Sequence, residues 1–251
     1  MREKSKKTQS CTTETKTQKR DRIFAVSLAV LGIATVIVSV AVFAHGESSA
    51  ASYDYTIVID AGHGGIDGGV AGTLTNVKES ELNLAVAYLL KHEIEKHGFR
   101  AVMTRTDKNG LYGLKGKGFK RRDMEKRKEI ILKSKANMVI SIHMNEFPLS
   151  SRQGPQVFFD KNSESSRLLA ESIQKALNGF TGNDHICLKG DYYILKCTSS
   201  PSVIVECGFL SNAEDERNLM KEEYQKKIAT KIFEGILLYT ITSGEKMVRV
   251  S

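Results

Sequence analysis

The chain has 251 residues, of which 41% are hydrophobic and 26% charged, which is enough for one sizeable core. The formal net charge is +8, but residues 1–22 alone hold eight Lys/Arg against three Asp/Glu, so the basicity belongs largely to a tail. The remainder shows neither zinc-finger spacing nor an aromatic-rich basic stripe, and we therefore expect no nucleic-acid partner.

Residues 23–44 form an apolar run of 22 residues without a charge, directly after the basic tail. About 20 apolar residues span the hydrocarbon core of a bilayer as a helix, and the positive flank places residues 1–22 in the cytoplasm. The pattern predicts a transmembrane signal-anchor with the following chain outside the cytoplasm. A signal peptide cleaved near Ala44 is the alternative, although its apolar region would normally be shorter. The body is exported in either case.

A polar, small-residue linker at 45–54 precedes the predicted folded domain, residues 55–243, and residues 244–251 form a tail. Runs rich in Val, Ile, Phe and Tyr predict strands at 55–60, 99–104, 138–143, 156–159, 192–196 and 203–206. Helix-length amphipathic runs lie at 80–97, 122–135, 163–177 and 213–240, the last of them long or broken. This alternation predicts a single α/β domain with a mostly parallel sheet.

The cysteines do not define a disulfide framework. There are four: Cys11, Cys187, Cys197 and Cys207. Cys11 falls on the cytoplasmic side, so an odd number remains outside, and the spacing permits but does not show a Cys187–Cys197 pair.

In parallel sheets ligands collect outside the carboxyl ends of the strands. Three predicted strand ends carry reactive side chains: IDAGH at 59–63, SIHMN at 141–145 and VEC at 205–207. The glycines after the first strand do not fit a nucleotide site, because Asp67 stands where a dinucleotide fingerprint needs its third glycine and no phosphate-loop Lys follows. By itself this loop predicts a turn whose glycines accept positive φ.

Two histidines, His63 and His143, stand at the ends of two different predicted strands, with carboxylates nearby. Zinc accepts imidazole and carboxylate ligands, and catalytic zinc sites often combine two His and one Glu with an open position. The third ligand could be Glu79 or Glu81 at the start of the first helix, and the spacing does not choose between them.

Glu206 lies inside the apolar run SVIVECGF. A buried carboxylate is unfavourable unless it is paired or functional, so Glu206 is either half of a structural salt bridge or a general base and acid beside a metal. Cys207 with His143 would form a cysteine hydrolase instead. However, Cys207 alternates with Glu206 along the strand and should face the opposite side of the sheet.

These segments resemble the zinc-dependent N-acetylmuramoyl-L-alanine amidases of the amidase-3 type. Four segments carry the resemblance in order: IVIDAGHGGIDGG, KESELNLAVAYLL, VISIHMN and SVIVECGFLSN. The resemblance implies that one zinc ion is held by His63, Glu79 and His143, and that Glu206 is catalytic. It selects Glu79 over Glu81 because Glu79 stands four residues before the Asn of NLA.

The resemblance covers about residues 55–240 and implies a twisted sheet of about six strands flanked by helices, in agreement with the strand count above. Arg105 and Arg127 match weaker structural positions of the family. The implied reaction is hydrolysis of the amide between the lactyl group of N-acetylmuramic acid and L-alanine in peptidoglycan. Glu206 would take a proton from water and pass it to the departing amine, and Asn145 is a candidate for orienting substrate or a ligand.

Three further segments are similar to the germination-specific, spore-cortex branch: GPQVFFDKNSESSRLLAESIQ, YYILKCTSSPSVIVECGFLSN and EYQKKIATKIFEGILLYT. The single N-terminal apolar segment is similar as well. This resemblance implies action on the spore cortex before muramic-δ-lactam formation, which germination requires. The enzyme would be anchored in the membrane with its catalytic domain facing the cortex.

Some cell-division members of the family carry an extra helix that blocks the zinc. The short segment 106–123 predicts no such helix here, which leaves control to expression or to an accessory protein. The basic segment 115–128, with eight Lys/Arg, is either a solvated helix face or a surface that attracts anionic wall peptides. Two other functions stay open: a zinc peptidase that cuts within the stem peptide, and a non-catalytic wall-binding scaffold.

Overall fold

A computed structural model describes residues 55–244. The predicted cytoplasmic tail, transmembrane segment and linker lie outside the described residues, and no described helix is long and apolar enough to cross a membrane. The strands are β1 Thr56–Ala61, β2 Arg100–Met103, β3 Met138–Asn145, β4 Gln156–Phe159, β5 Leu188–Lys189 and β6 Ser202–Phe209. The α-helices are α1 Glu79–Lys96, α2 Phe119–Ser134, α3 Glu164–Thr181, α4 Ala213–Leu219 and α5 Glu222–Ser243. A 3₁₀ helix spans Tyr193–Lys196.

The six strands form one sheet in the order β2-β1-β3-β6-β4-β5. Every pair of neighbours is parallel except β4 and β6, which are antiparallel. All residues of β1 and β6 are buried, as expected for central strands covered on both faces. The prediction of a mostly parallel α/β sheet is confirmed.

Two apolar cores cover the two faces of the sheet. Ile57 and Ile59 of β1 point into the larger core, which α1, α3 and α5 complete. Val58, between them, points into a smaller core formed with Ile131 of α2 and with the 3₁₀ helix. This follows from the alternation of side chains along a strand.

The helix ends follow local sequence signals. Ser163 caps α3, with its Oγ accepting a hydrogen bond from the N–H of Ser166 at 3.2 Å, as expected of an N-cap serine. Gly98 follows α1 with a φ of 84°, and Gly182 ends α3 with a φ of 76°, a conformation that favours glycine. The region predicted as one long or broken helix consists of α4 and α5, separated at Met220 and Lys221.

The predicted strand at 192–196 is wrong, because residues Tyr193–Lys196 form the 3₁₀ helix. Ile194 and Leu195, which are adjacent residues of this 3₁₀ helix, are both buried in the smaller core. In a strand, adjacent side chains would point to opposite faces of the sheet. The sixth strand is instead β5, whose two exposed residues carry no alternating pattern.

The cysteines in the described range are free thiols. Cys197 lies in the smaller core, whereas Cys187 packs against the larger one. The open possibility of a Cys187–Cys197 disulfide is therefore not realised, because the two thiols belong to opposite sides of the sheet.

Candidate active site

Three neighbouring strands bring the predicted site residues together at one edge of the sheet. β1, β3 and β6 are adjacent and parallel, so their carboxyl ends meet. His143 of β3 is the register partner of Glu206 of β6, and His63 follows β1 by two residues. Glu79 is the first residue of α1 and is 2% exposed, whereas Glu81, two residues further along the first turn, faces solvent.

His63, Glu79 and His143 form a ligand cluster whose donor atoms all lie within 4.8 Å of one another. His63 Nε2 lies 3.2 Å from Glu79 Oε2, and His143 Nδ1 lies 2.8 Å from Glu79 Oε1. The two imidazole rings meet edge to face, with their centroids 5.0 Å apart. Two imidazole nitrogens and one carboxylate are a donor set that suits zinc, so the residues present fit the metal that the sequence predicts.

The electrostatics keep Glu79 ionised. Burial alone would raise the pKa of its carboxyl, but hydrogen bonds and charges from His143 and His63 lower the pKa far below its ordinary value. Burial alone would lower the pKa of His63, but the hydrogen bonds and charges of Glu79 and Asp67 have the larger effect and raise that pKa. A divalent ion would replace that proton, since metal ligands must be deprotonated.

The glycines of the loop after β1 make room for the ligands themselves. A Cβ at Gly62 would stand 2.2 Å from His143 Nε2, and a Cβ at Gly69 would stand 2.2 Å from Glu79 Oε2. His63 has a φ of 59°, which is rare for a residue with a side chain and typical of constrained sites. The loop is thus shaped around the ligand cluster.

Two buried arginines hold this loop in place. Arg127 donates to the carbonyl of His63 at 2.7 Å and to the carbonyl of Ala61 at 2.8 Å. Arg105 donates to the carbonyl of Ala61 at 2.8 Å and to the carbonyl of Gly62 at 2.9 Å. The backbone that carries His63 is therefore fixed by guanidinium groups rather than by a regular element.

Asp60 balances the charge of Arg127. It accepts from Arg127 at 2.6 Å, from Thr104 at 2.7 Å and from Ser141 at 2.7 Å. Burial would raise the pKa of Asp60, but Arg127 and the two hydroxyls lower it to about 2. We call Asp60, Arg105 and Arg127, with these two hydroxyl partners, the arginine network. Sequence analysis identified Arg105 and Arg127 only as weaker family positions and gave Asp60 no role. An acid at the end of an apolar strand was the sequence feature that could have indicated Asp60 as their partner.

A second set of contacts orients Glu79. Asn83 donates to Glu79 Oε1 at 3.1 Å and to the carbonyl of Gly62 at 3.1 Å, and the N–H of Val70 donates to Glu79 Oε2 at 2.9 Å. Asp67 Oδ2 lies 3.1 Å from His63 Nδ1. Sequence reasoning gave Asn83 no role, although its position four residues after Glu79 places both on one face of the helix.

Glu206 differs from Asp60 and Glu79, whose carboxylate oxygens all accept hydrogen bonds or contact a histidine. It is 9% exposed, and its Oε2 is buried without a hydrogen-bond partner in the described structure. Burial raises its pKa to about 7, with Glu79 adding to the effect and His143 opposing it. The structural salt bridge considered for Glu206 does not form with any described residue.

A cavity of about 260 Å³ opens over the cluster, with His63, His143 and Glu206 on its floor. Its walls are mostly apolar or aromatic: Phe119, Met124, Tyr192, Tyr193, Ile194 and Ile204. A reactive polar floor under apolar walls is the usual composition of a small-ligand site.

A family model described as N-acetylmuramoyl-L-alanine amidase, of the amidase-3 type, matches residues 57–237. The chain belongs to this family. It is therefore an enzyme, an amidase that cleaves the bond between N-acetylmuramic acid and L-alanine in peptidoglycan.

The amidase is similar to other bacterial amidases in sequence and in structure. The germination-specific N-acetylmuramoyl-L-alanine amidase of Bacillus subtilis is 32% identical over 194 residues, which cover 75% of this chain and 81% of that protein. The CwlD amidase from Clostridioides difficile, solved in complex with the GerS lipoprotein, is 38% identical with a TM-score of 0.72. That match covers 75% of this chain and all of the solved chain, 100%. An N-acetylmuramoyl-L-alanine amidase from Clostridium difficile 630 is 27% identical with a TM-score of 0.68, covering 77% and 100%.

Two other predicted residues stand apart from the cavity of the amidase. Asn145 Oδ1 accepts from the N–H of Glu146 at 2.8 Å, and the β3–β6 register shifts between His143 and Asn145. Its substrate role stays a prediction. Cys207 is fully buried in the larger core, where burial raises the pKa of its thiol, so the geometry gives no support to a thiolate nucleophile.

No helix of the amidase lies in residues 104–118, between β2 and α2. The last residues of the predicted segment 106–123 form the start of α2, and the absence of a helix that blocks the zinc stays a prediction. The first turn of α2 instead borders the cavity through Phe119 and Lys120.

Proposed function

We propose that the amidase is a zinc enzyme that removes stem peptides from the peptidoglycan of the spore cortex, as the step before muramic-δ-lactam formation in germination. The similarity to a germination-specific amidase over most of its length supports the cortex as the substrate. The similarity to CwlD, at 38% identity, points the same way.

The ligand cluster supports zinc as the cofactor. His63, Glu79 and His143 would hold one ion, and Asn83 and the arginine network keep those ligands oriented. When bound, zinc supplies a Lewis acid that polarises a carbonyl and promotes the ionisation of water. Glu79 is already ionised in the fold, so it needs no proton loss to serve as a ligand.

The observation that carries the mechanism is Glu206, a buried carboxyl that lines the cavity and has an unpartnered oxygen, and whose pKa burial raises to about 7 in the metal-free protein. A carboxyl whose pKa is moved towards neutrality is suited both to accept and to donate a proton. Glu206 takes a proton from the attacking water as the new C–O bond forms. It returns that proton to the nitrogen as the C–N bond breaks, so that the amine leaves neutral.

The location remains a proposal from sequence. Residues 1–44 combine a basic tail with an uncharged apolar run, and we infer a membrane anchor with the catalytic domain outside the cytoplasm; secretion after cleavage near Ala44 is the alternative. Retention of the full-length chain in alkali-washed membranes, and its digestion by protease added outside, would support the anchor. Recovery of a chain that begins after Ala44 would contradict it.

We also propose an accessory lipoprotein as a partner, because the solved CwlD amidase is complexed with one, GerS. The lack of a helix in residues 104–118 agrees with control by another protein rather than by the catalytic domain itself. Co-purification of the full-length chain from sporulating cells should recover a lipoprotein, and recovery of the chain alone after cross-linking would contradict this partner.

Digestion of purified sacculi tests the activity. Zinc-loaded full-length protein, as wild type and as Glu206→Gln, is incubated with cortex and vegetative sacculi, and the products are read by mass spectrometry. We expect the wild type to release stem peptides with an L-Ala amino terminus, faster from cortex, and Glu206→Gln to release almost none. Cuts inside the stem would indicate a peptidase. Equal rates on both sacculi would contradict the cortex assignment, and no release by the zinc-loaded wild type together with its co-purified lipoprotein would contradict the amidase activity.

A further inference from the structure

The cavity over the ligand cluster contains one lysine that the mechanism does not use. Besides the histidines, two cationic side chains line the cavity, Lys120 and Arg127. Arg127 is 1% exposed and its nitrogens are committed to Asp60, Asp123 and two backbone carbonyls. Lys120 is therefore the cation of this cavity that remains able to change partner.

The present partner of Lys120 is weakly held. Its Nζ lies 3.7 Å from Asp67 Oδ1, and the Lys120 side chain is 69% exposed. The other oxygen of Asp67 lies 3.1 Å from His63 Nδ1. An exposed pair at this distance contributes little free energy, so a carboxylate of a ligand competes easily for the ammonium group.

The position of Lys120 limits which part of a substrate it can meet. One carboxylate, that of Asp67, bridges Lys120 and His63, so the ammonium group lies beside a predicted metal ligand and would meet a substrate residue close to the scissile amide. Lys120 lies in the first turn of α2, which has no acidic residue and no side-chain cap, so the helix dipole adds to its positive charge.

Apart from Glu206, the other charged groups of the cavity already have partners, because Asp60 and Asp123 pair with Arg127 and Asp67 contacts Lys120 and His63. The remaining walls are mostly apolar or aromatic, with Phe119 in an edge contact with Tyr112 at 5.6 Å and Tyr192 in one with Phe158 at 5.7 Å. In such pockets a few polar groups set orientation and specificity. We propose that Lys120 is a specificity-determining residue that binds the free carboxylate of the second stem-peptide residue. This inference rests on the proposed function and names the preferred substrate of the same site.

The test compares three synthetic N-acetylmuramyl tripeptides. One has free carboxylates on the second and third residues, one carries a carboxamide on the second residue, and one carries a carboxamide on the third. Zinc-loaded full-length wild type should favour the first over the second by roughly three- to tenfold in kcat/KM, through KM, and less at high salt. Amidation of the third residue should change nothing.

Lys120→Met should abolish the preference for the second-residue carboxylate, and Lys120→Arg should keep it. Lys117→Met is the matched control, because Lys117 is exposed on the same segment and does not line the cavity; it should behave as wild type. An unchanged preference in Lys120→Met, or an effect confined to the third residue, would overturn the assignment.

A binding measurement separates this proposal from the activity. In a Glu206→Gln background, calorimetry with the uncleaved tripeptides should show tighter binding of the second-residue carboxylate by the same factor, lost with Lys120→Met. If the wild type cleaves none of the tripeptides, the proposed function fails, and the calorimetry still decides the role of Lys120. If the wild type cleaves all of them equally, only the role of Lys120 fails.

Discussion

Two groups of buried charge lie beside each other at the carboxyl edge of the sheet, and they are balanced in opposite ways. In the arginine network both oxygens of Asp60 accept hydrogen bonds, and its pKa is lowered to about 2. Glu206, on the floor of the cavity, is also buried, yet one oxygen has no partner and its pKa is raised to about 7. Both carboxyls are buried, so they differ in whether their oxygens have hydrogen-bond partners. The fully partnered Asp60 stabilises the loop, whereas the partly unpartnered Glu206 is available for chemistry.

Replacing Glu206 should give the largest effect on activity. Glu206→Gln keeps the shape but removes the proton acceptor and donor, and we expect kcat to fall by about 10²- to 10⁴-fold with the fold and zinc content unchanged. Peptide release from sacculi measures it. Glu81→Gln is the control, because Glu81 lies in the same first turn as Glu79 but faces solvent. A Glu206→Gln variant that keeps a tenth of wild-type kcat would contradict the role of this carboxyl.

Replacing Asp60 should instead affect stability. Asp60→Asn leaves the buried Arg127 with Asp123 as its remaining carboxylate, and removing one partner of such a pair lowers the free energy of unfolding by about 3–5 kcal/mol. Denaturant unfolding measures it. The matched control is Glu125→Gln, which breaks the exposed pair with Arg121 and should leave the free energy of unfolding almost unchanged. If both variants lost the same free energy of unfolding, the arginine network would stabilise the fold no more than an exposed ion pair does.

The two carboxyls should also respond to pH with opposite sign in the metal-free protein. The stabilisation from Asp60, whose folded pKa is lowered from 3.8 to about 2, is present above the unfolded value and is lost as pH falls towards 2. For Glu206 the folded pKa is raised from 4.5 to about 7, so the fold loses stability as pH rises between these values.

Unfolding free energies of metal-free wild type and Glu206→Gln, measured from pH 4.5 to 8, test the second half of this contrast. The stability of the variant relative to wild type should grow by about 2–3 kcal/mol across that range. A difference that stays constant with pH would mean that Glu206 is solvated or paired in solution.

A smaller effect should follow from filling the space that Gly62 leaves for His143. In Gly62→Ala the new methyl would stand 2.2 Å from the imidazole, and we expect zinc affinity to weaken about 10- to 100-fold, the range found when support of a metal ligand is lost. A competition titration with a chelator measures this. Gly179→Ala in α3, where a Cβ meets nothing within 4 Å, should leave zinc affinity unchanged. Equal affinities in both variants would contradict the close approach at Gly62.

Sequence patterns predicted the parts of the site that depend on local order. The apolar strands β1, β3 and β6 each bring one candidate site residue to the same edge of the sheet. The alternation of strands and helices therefore predicted that His63, His143 and Glu206 lie there. Spacing did not choose between Glu79 and Glu81; the family resemblance selected Glu79, and the orientation of α1 against the sheet, which buries Glu79 and exposes Glu81, gives the physical reason.

Other features depend on contacts between distant segments. The burial of Arg127, one of many basic residues in its helix, depends on a partner 67 positions away, Asp60. The 3₁₀ helix at Tyr193–Lys196 has strand-forming residues, but packing in the smaller core overrides that preference. Contacts between residues that are far apart in the sequence leave no periodic pattern from which they could be predicted.

Zinc content tests the central claim most directly. Full-length wild type, Glu79→Gln and Glu206→Gln are loaded with zinc, dialysed against zinc-free buffer and analysed by mass spectrometry of the metal. The cluster of His63, Glu79 and His143 predicts about one zinc per chain in wild type and in Glu206→Gln, and almost none in Glu79→Gln. Zinc retained by Glu79→Gln, or lost from Glu206→Gln, would contradict the division between ligands and proton carrier.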